Sequence, residues 1–257
     1  PAEEGTLLFT GRHQRSGYAI EKYALDREGT YPIPFLLAVP NEEGPHPGLL
    51  YLHPDGKEAE AEPGGTIERL VQQGYAVLAP DLAGRGEIGP TQLRGDSHIE
   101  GVSYNQWFAS VLTGRSIVGV RARDLVRLTT LLRERPRVRK RPVTAVAQGQ
   151  TSLALLHAAA FDDRIGRTAF LGPLISYSSL AVHEQYDPQF IPVSVAGALT
   201  SYDLPDLLGS LAPRPVLVPR PLDHRGRLAG AEAVEVAYEG AHRVYAEQRR
   251  EENLRVE

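Results

Sequence analysis

The stretch R-P-V-T-A-V-A-Q-G-Q-T-S-L-A-L-L-H-A-A-A-F, Arg141 to Phe161, decides how this chain is read. Val143, Ala145 and Val146 make the short, bounded apolar run that a central parallel strand requires. Leu153, Leu155, Leu156 and the alanines to Ala160 leave the following segment almost no polar face, so it is predicted to be a helix that lies inside. A tight glycine turn separates the two. Strand, sharp turn and buried helix are the setting of the G-x-S-x-G nucleophile elbow, which lifts a serine above the end of a strand at a helix N-terminus. Here the five positions are Ala147, Gln148, Gly149, Gln150 and Thr151, and the serine position holds glycine.

Working outward, the same alternation recurs. Gly17 to Leu25 and Ile33 to Val39 read as two strands of an antiparallel hairpin, joined by a turn containing Glu28 and Gly29. Pro47 to Leu52 is a buried strand leading into His53-Pro54-Asp55-Gly56. Gly65 to Gln73 has helical spacing, and Tyr75 to Asp81 is the next strand. Gly84, Gly86, Gly89 and Pro90 mark a loop. Tyr104 to Arg135 carries one long helical pattern with Trp107, Val111, Ile117, Val120, Leu125, Leu128 and Leu132 on a broad face; Gly114 and Gly119 allow close packing or a kink.

Beyond the central unit, Ile165 to Leu171 is a strand. Gly172 to Ala212 is a polar, tyrosine-rich, cap-like insertion, Pro213 to Pro219 a strand, Ala229 to Arg249 a helix and Leu254 to Val256 a last strand. The fold class expected is α/β: a doubly wound, mostly parallel sheet with an antiparallel N-terminal hairpin, in one domain over 1–257.

Composition narrows the function. With 42% hydrophobic residues the chain can bury a core, and a net charge of -4 gives no basic field for nucleic acid. The run Arg137 to Arg141 reads as a solvated loop. No apolar run approaches the roughly 20 residues of a membrane span, and P-A-E-E-G-T lacks the features of a signal peptide, so a soluble domain is expected. No cysteine is present, which excludes disulfides and thiolate metal sites. The absence of methionine, even at position 1, points to a fragment of a longer chain or to a sequence with its methionines left out.

Several marks taken together resemble the α/β-hydrolase superfamily, in the acetyl xylan esterase and dienelactone hydrolase-like group. They are L-Y-L-H-P-D-G-K at Leu50 to Lys57, G-Y-A-V-L-A-P-D-L-A-G-R-G-E at Gly74 to Glu87, the elbow, Y-D-L-P-D-L-L at Tyr202 to Leu208, and A-P-R-P-V-L-V at Ala212 to Val218. The resemblance implies a serine attacking an ester carbonyl, a histidine taking its proton and a carboxylate orienting that histidine. Carried over, the nucleophile position is Gly149 and the acid position Asp223, which reads equally well as a turn residue. No histidine follows the last strand, His242 falls within a predicted helix, and His224 fits a surface turn. Ser152 is a shifted nucleophile or simply a polar residue of the first helical turn.

Oxyanion donors are backbone amides and survive the loss of side chains; by resemblance they are those of Gln150 and Asp55. Asp81, Glu87, Asp96 and His98 match no tight ligand pattern, so no metal is expected, and no cofactor. Gly84-Arg85-Gly86 lacks the strand-to-helix setting of a dinucleotide loop. Tyr177, Tyr186 and Tyr202 are candidates to line a depression above the elbow and stack on a sugar, or else pack the insertion onto the sheet.

Two functions follow. One is a catalytically degenerate hydrolase domain kept as a structural or carbohydrate-binding partner of another domain of the same chain. The alternative is an active carboxyl-ester hydrolase, a deacetylase of acetylated sugars, with a non-standard catalytic arrangement.

Overall fold

A computed structural model describes residues 5–26, 30–89, 98–99 and 102–257. Its strands are β1 (Thr6–Arg15), β2 (Tyr18–Asp26), β3 (Ile33–Pro40), β4 (Gly48–Leu52), β5 (Ala76–Pro80), β6 (His98–Ile99), β7 (Val102–Ser103), β8 (Val143–Gln148), β9 (Ile165–Leu171), β10 (Val216–Val218) and β11 (Leu254–Val256). Helices α1 (Thr66–Gln72), α2 (Asn105–Leu112), α3 (Ile117–Glu134), α4 (Thr151–Phe161), α5 (Ser178–Ala181), α6 (Leu204–Gly209) and α7 (Ala231–Glu247) connect them. Nine strands form one sheet in the order β1-β2-β3-β5-β4-β8-β9-β10-β11, while β6 and β7 make a separate short ladder. Pairing is antiparallel from β1 to β5 and parallel from β5 to β11. The α/β class and its mixed sheet are as expected from sequence; the turn proposed at Glu28 and Gly29 lies outside the described residues.

Alternation across β4 shows how the sheet is covered. Leu50 and Leu52 enter the larger core with α3, α4, α6 and α7, whereas Leu49 and Tyr51 enter a smaller core with Ile67 and Val71 of α1. Helix α4 is buried from Thr151 to Ala159, and only Phe161 at its end is well exposed. Arg214 ties the C-terminal end of this helix to β9, donating from Nη2 to Ala159 O (2.8 Å) and from Nη1 to the C-cap Asp162 O (3.2 Å) and to Ile165 O (2.9 Å).

Three features differ from the sequence reading or extend it. β1 forms a ten-residue outer strand where none was predicted, because its residues are mostly exposed on both faces and carry no apolar alternation. The single helix predicted over Tyr104 to Arg135 is two: Gly114 turns left-handed (φ +69°), Arg115 N–H reaches back to Ser110 O at 2.8 Å, and Ser116 caps the next helix by accepting from Gly119 N–H at 2.9 Å. Val111, placed on the buried face by the long-helix reading, is accordingly exposed. Within 172–212, α6 packs with α4 and α7 in the helical layer, and Asp203 explains the Y-D-L-P-D-L-L motif. Its carboxylate caps α6 through Leu204 N–H and also accepts from Tyr177 N–H (2.6 Å) and Ser178 N–H (3.0 Å).

Candidate active site

The chain runs from β5 across to β8 on the other side of β4, so the direction of sheet building reverses between β4 and β8. The helices that follow these two strands lie on opposite faces, α1 over the smaller core and α4 in the larger. In open α/β sheets the crevice at such a switch point, outside the carboxyl ends of the strands, is where ligands bind. Three loops meet there: 53–57 after β4, 81–89 after β5, and the turn at Gly149.

That turn is an elbow in geometry. Gly149 has φ +54°, and its N–H donates to Leu171 O at 2.8 Å. Thr151, buried, latches it: its hydroxyl lies 3.1 Å from Leu52 O and 2.8 Å from Gln148 O and accepts from Gln148 N–H at 3.2 Å. A Cβ at Gly149 would meet no atom within 4 Å. Ser152 is 1% exposed, and its hydroxyl donates to Ala147 O at 3.2 Å, away from the apex. It is a core hydroxyl beneath the elbow.

The second clasp is ionic. Asp81 is fully buried; it accepts from Lys57 N–H (2.7 Å), Lys57 Nζ (2.8 Å) and Glu87 N–H (3.0 Å), and Lys57 Nζ also meets Glu87 Oε1 at 2.6 Å. Burial acts to lower the Lys57 pKa, but hydrogen bonds to Asp81 and Glu87 outweigh it and hold the ammonium above its ordinary value. Two of the acidic residues weighed as metal ligands, Asp81 and Glu87, thus serve a lysine. Asp96 and the side chain of His98 lie outside the described residues, among which no three His, Asp or Glu side chains gather.

Of the oxyanion candidates, Gln150 stands at the start of α4, where first-turn amides have no intrahelical acceptor. The amide of Asp55 is engaged, donating to His53 Nδ1 at 3.2 Å. Asp223 is held in its own turn: one carboxylate oxygen accepts from Arg225 N–H (2.8 Å) and Arg227 N–H (2.9 Å). His224, next to it, stacks on His183 with ring centroids 3.6 Å apart. Tyr177 and Tyr186, with Trp107, line an apolar pocket of about 480 Å³. Tyr202 is elsewhere, its hydroxyl 2.9 Å from His157 Nε2; because His157 Nδ1 lies 2.7 Å from Leu153 O and must donate to it, Nε2 accepts from the tyrosine.

Sequence reasoning gave no role to Lys57, Thr151, Arg85 or Arg121. Arg85 donates from Nη2 to the side-chain oxygen of Gln150, whose Nε2 in turn meets Gln189 Oε1 at 3.4 Å. Arg121 donates from Nε to Ala83 O at 2.9 Å. The available signal was an aspartate directly after one fully apolar strand and a lysine in the loop after another, positions where a charge needs a partner.

No known sequence family and no curated protein matches the chain. Solved structures do. A structure from Bacteroides fragilis NCTC 9343 reported as a "putative acetyl xylan esterase" superposes with a TM-score of 0.80 over 98% of this chain and 69% of its own, at 17% identity. The acetyl xylan esterase from Paenibacillus sp. R4 gives 0.65 over 100% of this chain and 82% of its own, at 17% identity. For the glucuronoyl esterase from Solibacter usitatus the values are 0.64, 96%, 74% and 15%. At such identities the likeness is one of fold. The elbow turn, the mixed sheet and these superpositions agree that the chain has the α/β-hydrolase fold in the form seen in acetyl xylan and glucuronoyl esterases.

Proposed function

We propose that this chain is an esterase-fold domain without esterase chemistry, kept as a structural or carbohydrate-binding module alongside another domain of a longer chain. Gly149 carries the reading. An elbow apex with no side chain has no nucleophile, and removing the serine or histidine of such a triad lowers kcat on the order of a millionfold. The two candidates for a substitute are otherwise engaged: Ser152 faces Ala147 O, and Asp223 accepts two bonds within its own turn. Support for a sugar comes from the pocket walled by Trp107, Tyr177 and Tyr186, since aromatic faces offer broad apolar area with a polar edge.

The test is hydrolysis of an activated acetate ester. The protein should match an inert control, and a serine-directed phosphonate should leave its mass unchanged. The neighbours' names favour the other reading, an active carboxyl-ester hydrolase. Turnover of about 1 per second or more, lost on Ser152→Ala or Asp223→Asn, would establish it.

A further inference from the structure

Beside the elbow, two arginines, Arg85 and Arg121, form no ion pair among the described residues. Arg85 lies between β5 and α4; its Nη2 rests on the neutral side-chain oxygen of Gln150, and its Nε is buried with no partner. The acidic group acting on its charge is Asp55, whose side chain is 80% exposed. Arg121 reaches the same loop from α3. It is 5% exposed, spends Nε on Ala83 O, and makes no other hydrogen bond among the described residues. Desolvation lowers the pKa of both guanidinium groups, and the charge of Arg85 lowers that of Arg121 further, to about 9. Lys57, in the adjacent loop, shows the ordinary solution, with Asp81 and Glu87 both on its ammonium.

Holding a loop through Ala83 O or a carboxamide through Gln150 needs a donor, not a charge. Two cations without an ion-pair partner in a partly desolvated place cost stability unless something neutralises them. We propose that Arg85 and Arg121 form a binding site for the carboxylate of a small organic acid, at the mouth of the empty elbow. A guanidinium fork matches a planar carboxylate through paired N–H donors. Two cations with one exposed carboxylate nearby complement a monoanion better than a dianion such as phosphate. The site stands whether or not the chain hydrolyses esters.

Calorimetric titration at constant ionic strength in chloride tests it, with sodium acetate in one arm and sodium phosphate in the other. Acetate should bind saturably to the wild type, at least tenfold more weakly to Arg85→Gln, and close to wild type for Arg85→Lys, which keeps the charge. Without anion, Arg85→Gln should melt no lower than the wild type, since it removes repulsion; a purely structural arginine would leave a less stable protein. Arg121→Gln repeats the test from the other side. Acetate that fails to saturate, affinity unchanged in Arg85→Gln, or phosphate binding in place of acetate overturns the assignment.

Discussion

Gly149 and Gly86 share the same left-handed backbone, both at φ +54°, in opposite surroundings. A Cβ at Gly86 would enter the Asp81 carboxylate, and one at Gly56 would come within 2.8 Å of the Gly86 Cα. In that clasp glycine is the only residue that fits. Around Gly149 a Cβ meets nothing within 4 Å, so the backbone conformation favours glycine but the space does not demand it. The clasp is packed to capacity around a buried ion pair, whereas the elbow keeps the shape and room that a catalytic side chain would use. The residue at 149 is therefore little constrained by packing, while any change at Gly86 strikes the scaffold that orients the site.

The largest effect expected from this contrast is at the clasp. Gly86→Ala should displace Asp81 from Lys57 and cost about 3–5 kcal/mol, the range for breaking a buried pair; denaturant unfolding measures it, and a loss below about 1 kcal/mol would show that the loop yields. Leu156→Ala, in the buried helix behind the elbow, should cost about 2–5 kcal/mol, because only a void of about 10 Å³ lies nearby to absorb rearrangement. An unchanged midpoint would contradict its packing.

Gly149→Ser should cost only about 1–2 kcal/mol, the penalty of a left-handed non-glycine residue. It should bring little or no ester hydrolysis, since nothing in the elbow's described surroundings supplies a histidine base to lower the hydroxyl's very high pKa. A cost equal to that of Gly86→Ala would erase the comparison; ordinary turnover would reveal a base.

The smallest effect is with pH. Burial holds the His157 imidazole below its ordinary 6.5, against the raising effect of its bond to Leu153. A folded-state pKa below the unfolded one means that stability is fully present above about pH 6.5 and is lost as pH falls through the folded value. Melting temperature should fall more between about pH 7 and 5.5 in the wild type than in His157→Gln. Parallel curves would remove His157 from the account.

Sequence by itself determined what depends on neighbours along the chain. Period-two and all-apolar runs marked β2, β3, β4, β5, β8 and β9, and the all-apolar helix after Gln148 could only be interior, so the sheet class and the glycine at the elbow were legible. Even the break in the long helix was written in Thr113-Gly114-Arg115-Ser116, a stop followed by a cap, though apolar periodicity ran through it and hid it. Tertiary structure alone decided what depends on distant pairs. Lys57 meets Asp81 across 24 residues and Arg85 meets Gln150 across 65, and a charge in a sequence carries no mark of whether folding will give it a partner. Whether packing demands glycine at 149 was likewise undecidable until the space around it could be seen, because steric need is a property of the packed neighbours and not of the residue.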